Sequence, residues 1–386
     1  MNWIEKMIAE QCPNGVKKVK LGEVATIGTG CRNTQDGLTE GPYPFYTRGQ
    51  EILRLNDYDY NETAIITAGD GAGVGKTFHF VKGCYALHQR AYRFVPKETV
   101  INPKYLYNYI RHTFYDYIMK NSVFGSVPSV RKPMLEKYTI PLPSLSIQEE
   151  IVSVLDKFSE LIEKTDEEIA LRQKQYEYYR EKLLTFEEGE VEEYLSFGND
   201  FHLKARIGWQ GLTKQEYKTS GEYLLITGTD FTNAHTIDFE HCVFVEKERY
   251  EQDKNIQIRP EDVLITKDGT LGKVAYIENI PLPCTLNGGV FVVRNKTNKI
   301  IPKFLMYYLT SYNFTSWMDK NHTSGSIMHL TQKLLCKFLI PVVKISRQQE
   351  IVTILDKFET LISKLKEERE LRQKQYEYYR EKLLTF

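Results

Sequence analysis

Two Gly-Lys segments are the residues of this sequence that most invite a chemical interpretation. Asp70-Gly-Ala-Gly-Val-Gly-Lys-Thr77 resembles a phosphate-binding loop, and Asp268-Gly-Thr-Leu-Gly-Lys273 occupies the matching place in the second half. A P-loop needs glycine where Asp70 stands and a helix after its lysine, whereas Thr77-Phe-His-Phe-Val81 alternates like a strand. We therefore expect no nucleotide site. The two segments are either turns that bring backbone N–H groups and a lysine near phosphates, or plain β-turns.

Other catalytic patterns are incomplete. Asn102-Pro-Lys-Tyr105 resembles the Asn-Pro-Pro-Tyr loop that holds a flipped base in amino-methyltransferases, but it lacks the second proline and an upstream Gly-rich cofactor loop. Glu216-Tyr-Lys218 is too isolated for a nuclease core, and no Gly-x-Ser-x-Gly or His-Glu-x-x-His motif occurs. The cysteines are widely spaced and form no Cys-x-x-Cys pair; they are Cys12, Cys31, Cys84, Cys242, Cys284 and Cys336. We expect no catalytic residues, no metal and no cofactor.

The overall composition is that of a globular protein. The chain has 386 residues, enough for two or three domains, with 51 basic and 51 acidic side chains and a net charge of zero. No run of 18 apolar residues occurs, and charges at Glu5, Lys6 and Glu10 interrupt any signal-peptide core, so we expect a cytoplasmic protein. Zero net charge argues against a nucleic-acid partner only if the charges are evenly spread.

The sequence repeats itself with an offset of 200 residues. Residues 171–186 recur letter for letter at 371–386, and 29 of the 39 positions in 148–186 are identical in 348–386. Upstream the match is weaker but keeps its register, as at Ile140-Pro141 and Ile340-Pro341. Gly125-Ser126 and Gly325-Ser326 also correspond. Each half therefore consists of a variable region followed by a nearly invariant segment.

The invariant segment has the pattern of a long helix with a coiled-coil seam. Apolar residues recur in steps of three and four over five heptads. Ser146 and Ser346 are predicted to open the two helices with capping boxes. The predicted seam residues are Ile151, Leu155, Phe158, Ile162, Tyr176, Tyr179 and Leu183 in the first copy, and Ile351, Leu355, Phe358, Ile362, Leu365, Tyr376, Tyr379 and Leu383 in the second. We expect the two helices to pair antiparallel within the chain; separate packing, or pairing with another molecule, is the alternative.

The variable regions are predicted to be mixed α/β. Strand-like runs such as 63–67 and 263–266 alternate with Gly-rich turns, and helical stretches follow at 103–120 and 302–319. The predicted fold class is α+β, with two mixed α/β domains, two long antiparallel coiled-coil helices and a pseudo-two-fold repeat. The predicted boundaries are 1–147, 148–186, an acidic connector at 187–199, 200–347 and 348–386.

The charges are not evenly spread. Residues 1–147 carry a net charge of +5 and residues 200–347 a net charge of +4, whereas 148–186 carry −4 and the connector −5. Two cationic regions therefore offset acidic ones, and this distribution permits a phosphate-binding face in each variable region.

The order of these segments resembles the specificity subunit of type I restriction-modification enzymes. The resemblance covers essentially the whole chain and is strongest where Gln-(Glu/Gln)-Glu-Ile opens each helix after an Ile-Pro step, and at the repeated Leu-Arg-Gln-Lys-Gln-Tyr. Further matches are 44–50 and 64–71 in the first region and 207–212 in the second.

The resemblance implies a function. In that family each variable region is a target-recognition domain that reads one half of a split DNA sequence, and the helical pair is a spacer between half-sites. Two methyltransferase (modification) subunits dock on the subunit and methylate adenine, and restriction subunits, which are translocating endonucleases, can join. The implied partners are thus double-stranded DNA and these subunits. At 1.5 Å per residue a 39-residue helix spans roughly 58 Å, somewhat over one and a half turns of duplex.

Candidate DNA contacts follow from the chemistry of base reading. Arg, Lys, Asn and Gln offer two-pronged hydrogen bonding, and loops admit them most easily. For each residue chosen, a solvated surface role is the alternative. The candidates are Arg48, Gln50, Lys76, His88, Gln89, Arg90, Arg131 and Lys132 in the first region, and Gln210, Lys214, Thr229, Asn233, Lys267, Lys273 and Asn287 in the second.

Two other functions stay open at this stage. One is a DNA-binding scaffold outside restriction, with two cationic heads on a coiled-coil ruler. The other is an enzyme that uses the Gly-Lys turns for nucleotide chemistry. A co-purifying methyltransferase subunit in a 2:1 ratio would distinguish the first from the family interpretation, and binding of ATP or S-adenosylmethionine by the chain would favour the second.

Overall fold

The chain divides into two units. Unit 1 comprises Met1–Asp166 and Glu367–Phe386, and unit 2 comprises Glu167–Lys366. A computed structural model describes residues 3–121, 129–208, 211–268, 271–321 and 330–386. Each unit contains one mixed α/β region and one half of each of two long helices, so the division falls within the helices.

Both units contain helices and strands. The helices are α1 (Trp3–Gln11), α2 (Leu21–Val24), α3 (Pro103–Asn121), α4 (Lys132–Glu136), α5 (Leu145–Leu183), α6 (Lys247–Glu251), α7 (Pro302–Thr310), α8 (Tyr312–Asn321), α9 (Gln332–Leu335) and α10 (Ile345–Leu384). The strands are β1 (Lys18–Lys20), β2 (Ala25–Thr29), β3 (Tyr43–Tyr46), β4 (Ile52–Leu55), β5 (Tyr60–Ala68), β6 (Phe78–Leu87), β7 (Ala91–Pro96), β8 (Thr139–Pro141), β9 (Glu193–Ser196), β10 (Phe201–Ala205), β11 (Tyr223–Ile226), β12 (Val243–Val245), β13 (Val263–Thr266), β14 (Val274–Tyr276), β15 (Cys284–Leu286), β16 (Val290–Asn295) and β17 (Leu339–Val342).

Unit 1 is built on a six-stranded sheet in the order β2-β7-β5-β6-β3-β4, with β3 and β6 parallel and the other pairs antiparallel. Its central strand is buried on both faces. Ile65 belongs to the core shared with α3, whereas Ala64 and Ile66 belong to a cluster on the opposite side, as the two-residue period of a strand requires. A separate antiparallel pair, β1-β8, joins the start of the unit to the segment before α5.

Unit 2 repeats this plan with its sheet divided. Strands β10-β16-β13-β14 form one sheet and β12-β11-β15 another, and β11 and β15 are parallel, as β3 and β6 are. Strands β14 and β15 stand where unit 1 has the single strand β6. The segment between them contains Pro281 and Pro283, which have no N–H to donate to a sheet ladder, so the continuous strand is lost.

The helix after the sheet also differs between the units. The stretch predicted at 103–120 forms one helix, α3, but the stretch predicted at 302–319 is divided into α7 and α8. The break lies at Ser311, whose backbone is extended and whose buried hydroxyl donates to the carbonyl of Tyr308 at 2.7 Å. A side chain that satisfies the last carbonyls of a helix competes with continuation of that helix.

The segment 187–199, predicted as an acidic connector, is not a connector throughout. Glu193–Ser196 form strand β9, which pairs antiparallel with β17. Leu195 and Phe197 are buried in the core of unit 2. The glutamates dominate the composition, but two apolar residues separated by one position suffice to anchor a strand. This pairing corresponds to β1-β8 in unit 1, so the second half of the segment belongs to the fold of unit 2.

The two long helices begin earlier than the predicted capping boxes. Helix α5 begins at Leu145 and α10 at Ile345, so Ser146 and Ser346 lie inside the first turn rather than before it. A buried glutamine fixes each start instead. Gln148 accepts from the N–H of Asn102 and donates to the carbonyl of Pro143, both at 2.8 Å. Gln348 makes the matching bonds to Ile301 and Val343, also at 2.8 Å.

The helices pair antiparallel in both units. In unit 1, Phe158 stacks on Tyr379 with ring centroids 5.2 Å apart, and in unit 2 Phe358 stacks on Tyr179 at 5.6 Å. In each case a residue early in one helix meets a residue late in the other. The expected pairing within the chain is therefore present.

Most of the predicted seam residues are buried or half-buried. The outlier is Tyr179, which is 41% exposed although its ring stacks on Phe358. The buried members are Ile151, Leu155, Ile162, Ile351, Leu355, Ile362, Tyr376 and Leu383, and the half-buried ones are Phe158, Tyr176, Leu183, Phe358, Leu365 and Tyr379. Within the described ranges, none of the helices is both long and apolar enough for a membrane crossing.

Candidate nucleic-acid interface

Three turns meet at one place in unit 1. They follow the C-terminal ends of β3, β5 and β6 and carry Arg48, Asp70 and Arg90 respectively. The carboxylate of Asp70 accepts from Nη1 of Arg48 at 2.8 Å and from Nη1 of Arg90 at 3.2 Å. Residues separated by more than forty positions in the sequence thus share one charged cluster.

The cluster lies at the surface and is only partly shielded from water. The side chains of Arg48 and Arg90 are 40% and 62% exposed, and that of Asp70 is 29% exposed. Partial burial acts to raise the pKa of Asp70, but the hydrogen bonds and charges of the two arginines outweigh it and hold the pKa below its ordinary value. The carboxylate is therefore ionised at neutral pH and keeps the two guanidinium groups together.

Backbone hydrogen bonds hold these turns to one another. The N–H of His88 donates to the carbonyl of Tyr46 at 3.0 Å, and the N–H of Gly69 donates to the carbonyl of Arg90 at 2.9 Å. The carbonyl of Gly69 accepts from Val130 at 2.9 Å, which attaches the segment before α4 to the same place.

His88 is buried, whereas the predicted DNA contact needs an exposed side chain. Its side chain is 4% exposed, and Nδ1 accepts the N–H of Arg90 two residues on, at 3.0 Å. Burial lowers the pKa of the imidazole, and the charge of Arg48 adds to the effect, so the ring is neutral and serves as an acceptor. The imidazole thus closes the turn as Asn or Asp side chains do when they accept a nearby backbone N–H.

The other predicted residues of unit 1 surround Asp70. Gln50 donates to the carbonyl of Lys76 at 3.1 Å, and Gln89 donates to the side chain of Asn33. Both glutamines are exposed, as are Lys76, Arg131 and Lys132. Two clefts flank Asp70, one of about 640 Å³ with Arg48, Gln50 and Lys76 and one of about 410 Å³ with Gln89, Arg90 and Arg131. Lys76 is followed by strand β6 and not by a helix, which agrees with the rejection of a P-loop.

Unit 2 has the same frame of backbone hydrogen bonds. Asn287 donates to the carbonyl of Ile226 at 2.9 Å, as His88 does to Tyr46. Lys267 donates to the carbonyl of Gly289 at 2.9 Å and accepts from Leu330 at 3.1 Å, as Gly69 does with Arg90 and Val130. By these matching bonds, Asp268 in unit 2 is equivalent to Asp70 in unit 1, and Gly289 is equivalent to Arg90.

The side chains on this second frame are different. Asn287 closes its turn by accepting the N–H of Gly289 at 3.3 Å, and its amide donates to the hydroxyl of Tyr217. Asn287 is half-buried and engaged as a turn residue, like His88. Its role as a base contact stays a prediction. Thr229 lies in a turn that Asp230 closes by accepting the N–H of Thr227 at 2.6 Å. The ammonium of Lys267 lies 5.4 Å from the ring of Phe291.

Of the remaining candidates of unit 2, Lys273 lies beside the turn that carries Asp268, because its N–H donates to the hydroxyl of Thr266 at 2.9 Å. Lys273 is exposed and follows the left-handed Gly272, just as Lys76 follows the left-handed Gly75. Lys214 lies in a 3₁₀ turn, residues 214–216, and Asn233 lines a cleft with the helix residues Tyr176 and Glu359. Gln210 lies outside the described residues.

Asp70 is the main residue that the sequence interpretation missed. In the sequence it stands out only as the residue that breaks the P-loop pattern. The signal that pointed to it was its recurrence, because Asp-Gly precedes Gly-Lys at corresponding turns of both halves. Residue type alone does not predict a carboxylate as a candidate DNA contact. The role of Asp70 follows only from its ion pairs with two arginines of other turns.

Comparison with known proteins gives a consistent assignment. A family model described as "Type I restriction modification DNA specificity domain" matches residues 13–171 and 210–373. The EcoR124I/EcoR124II specificity subunit of Escherichia coli is 35% identical over 266 residues, which span 65% of this chain and 63% of that subunit. S.HindORF215P of Haemophilus influenzae, named as a candidate type I specificity subunit, is 27% identical and covers 95% of this chain and 94% of its own length.

The fold agrees as well. The crystal structure of the type I restriction-modification S subunit from M. genitalium superposes with a TM-score of 0.60 at 16% identity and covers 97% of both chains. The chain thus has two recognition regions of the kind found in the DNA-specificity subunits of type I restriction-modification systems, and it belongs to that family.

Proposed function

We propose that this chain selects the DNA sequence for a type I restriction-modification complex, and that each unit reads one half of a two-part target. The observation that carries the proposal is the duplicated frame of three turns, with charged and amide side chains exposed at its rim in unit 1. The cationic excess of both variable regions supports contact with phosphates. Because the proposed target is chromosomal DNA, the chain is proposed to act in the cytoplasm.

In this proposal the chain supplies recognition, and its partners carry out the covalent chemistry. Among the described residues no group of three His, Cys, Asp or Glu side chains is arranged to hold a metal ion. The proposal assigns methyl transfer to adenine to two methyltransferase subunits and cleavage to restriction subunits, the partners that the family resemblance implies.

The long helices offer matching docking surfaces for those methyltransferase subunits. Each unit carries the same three exposed apolar residues, one from one helix and two from the other. They are Leu161, Leu371 and Tyr378 in unit 1, and Leu361, Leu171 and Tyr178 in unit 2, with exposures between 39% and 60%. Exposed apolar side chains that recur identically in two units fit two copies of one partner.

Stoichiometry tests this docking proposal. Leu371→Ser with Tyr378→Ser should reduce the methyltransferase subunits that co-purify with the chain from two to one, and Leu171→Ser with Tyr178→Ser should do the same for the other unit. Native mass spectrometry gives the ratio. A Lys374→Ser variant, on an exposed position of the same helix, is the matched control. A ratio that stays at 2:1 in both double variants would refute the assignment of these surfaces.

The helical pair is proposed to set the distance between half-sites. Deletion of residues 164–170 together with 364–370 removes one heptad from each helix and shortens the pair by roughly 10 Å, about three base pairs. Methylation mapping with the deleted chain should show unchanged half-sites and a shorter spacer. The same spacing in both proteins would contradict the ruler model.

A further inference from the structure

Asp70 joins two arginines that come from separate turns. It offers one oxygen to Arg48 and the other to Arg90. Each guanidinium uses only Nη1 for this contact, and among the residues that the structure describes neither arginine side chain has another hydrogen-bond partner. Both therefore keep Nε and Nη2 for a ligand in the flanking clefts.

Glycines bring the three turns close enough for this arrangement. A Cβ at Gly73 would clash with the carbonyl of Arg48, and a Cβ at Gly69 would lie 2.7 Å from the carbonyl of Arg90. The loop that carries Asp70 is thus packed directly against the backbone of both arginine-bearing turns. Asp70 is fixed by its own backbone, so it restricts the arginines rather than following them.

The chemistry of the pair selects among the four bases. Guanine presents two acceptors, N7 and O6, on its major-groove edge, whereas adenine and cytosine present an amino donor there and thymine a single acceptor with a methyl group. A guanidinium that offers N–H groups only is complementary to guanine. A phosphate would be bound less well here, because the carboxylate between the arginines leaves the cluster with a net charge of only +1.

We propose that Asp70 is a positioning residue that orients Arg48 and Arg90 to read guanine in the half-site bound by unit 1. This inference rests on the proposed function, since it assigns a base to one of the two recognition surfaces. Unit 2 has Gly289 in place of Arg90, so its surface does not read guanine in this way. Guanine selectivity of this kind is therefore a property of unit 1.

Selection from a pool of randomised duplexes tests the inference. The full chain, in complex with its methyltransferase subunits, is used as wild type, as Asp70→Asn, and as Arg48→Ala with Arg90→Ala. Asp268→Asn, the corresponding change in unit 2, is the matched control. The guanine enrichment at each position of the two half-sites is then compared at one fixed salt concentration.

The wild type should select guanine at positions in one half-site. Asp70→Asn should lower that enrichment about three- to tenfold, because a bidentate arginine contact is worth about tenfold or more in discrimination and its geometry is loosened rather than removed. The double arginine variant should abolish it, and Asp268→Asn should leave it intact. An unchanged second half-site in every unit 1 variant shows that the complex is folded.

Three outcomes would overturn the inference. The first is that Asp70→Asn keeps the full guanine enrichment. The second is that the half-site whose selection changes in the unit 1 variants contains no guanine in the wild-type target. The third is a uniform loss of affinity for all sequences in the arginine variant, with a smaller salt dependence, which is the signature of phosphate contacts. If the wild type selects no sequence at all, the proposed function itself fails, and that result is distinct from the other three.

Discussion

The two units present different side chains on the same frame of turns. In unit 1 the frame carries Arg48 and Arg90 on the carboxylate of Asp70. In unit 2 Gly289 stands where Arg90 stands, 3.8 Å from the Asp268 carboxylate when measured from an ideal Cβ position. The two frames differ in the exposed side chains that they carry, which form the rim of the frame, since the backbone hydrogen bonds between the turns are the same.

This comparison separates the residues that hold the turns together from the exposed residues that differ between the units. His88 and Asn287 differ in chemistry, yet each closes its turn through an acceptor that faces the N–H two residues on. These buried or half-buried positions maintain the frame. Arg90 and Gly289 enter the frame only through their backbone groups. The side chains at positions 48, 90 and 289 can therefore change without disturbing it. With this separation, the exposed side chains at the turns can vary at little cost in stability.

The largest effect is expected when the two arginines that distinguish unit 1 from unit 2 are removed. Arg48→Ala with Arg90→Ala should weaken binding of the complex to its own target by roughly a thousandfold, given about 1–3 kcal/mol for each bidentate contact. Fluorescence anisotropy at fixed salt measures this. Arg111→Ala with Lys120→Ala removes the same charge from exposed positions of α3 and serves as the control. Unchanged affinity in the arginine variant would remove these residues from the recognition surface.

The next effect concerns a feature that the units share. Gln148→Leu and Gln348→Leu should each lower the free energy of unfolding by about 2–4 kcal/mol, because each leaves buried backbone groups without a partner. Urea unfolding followed by circular dichroism measures the loss, and Gln349→Leu, an exposed neighbour, is the control. A loss below about 1 kcal/mol in either unit would mean that the glutamine does not fix the start of its helix.

A substitution in unit 2 sharpens the comparison by adding what that unit lacks. Gly289 has an ordinary backbone conformation, and a Cβ there meets nothing closer than 3.8 Å. Gly289→Arg should therefore be tolerated, place a guanidinium within reach of Asp268, and favour guanine at one position of the second half-site by about tenfold. Selection from randomised duplexes reads this out, with Gly289→Gln as the control. An unaltered second half-site would show that a side chain at position 289 does not contact the bases.

The smallest effect comes from a difference in the helix pair. Glu359 in unit 2 corresponds to Ser159 in unit 1, and it accepts from the hydroxyls of Tyr176 at 2.9 Å and Tyr307 at 3.0 Å. Burial raises the pKa of this carboxyl even so. The folded state then binds the proton more tightly than the unfolded state, so the stability contributed by Glu359 is present at low pH and is lost as pH rises through the raised pKa.

Glu359→Gln removes this dependence and keeps an acceptor for the tyrosines. The variant should be more stable than the wild type at pH 8 by about 1 kcal/mol for each unit by which the pKa is raised, and the difference should shrink toward pH 5. Urea unfolding across this pH range provides the measurement, with the exposed Glu370→Gln as control. If the difference in the free energy of unfolding between variant and wild type does not change with pH, folding does not raise the pKa of Glu359.

The sequence predicts the repeated parts of the fold better than the divergent parts. The long helices and the strands at 63–67 and 263–266 could be predicted because their register persists at a nearly constant offset. The pairing of β9 with β17 could not be predicted, because the matching strand β1 lies at a different offset and glutamates surround the buried Leu195. Local pattern cannot report a partner strand more than a hundred residues away.

The candidate site shows the same limit. Residue type and a place near turns predict Arg48 and Arg90 as candidates, and the structure brings them together on Asp70. Residue type alone could not separate them from His88, which is buried, or from Arg206. The guanidinium of Arg206 is fully buried and donates to the carbonyl of Leu286 at 2.8 Å. Exposure and partners, which decide between a structural and a ligand-binding role, depend on tertiary contacts.

The central claim is that two units with different rims read two different half-sites. Genome-wide mapping of methylated adenines, in cells that carry this chain together with its methyltransferase subunits, tests the claim most directly. The predicted result is one two-part motif with a fixed spacer, unlike halves, and a methylated adenine in each half. A single uninterrupted motif, two identical halves, or a methylation pattern that does not depend on the chain would contradict it.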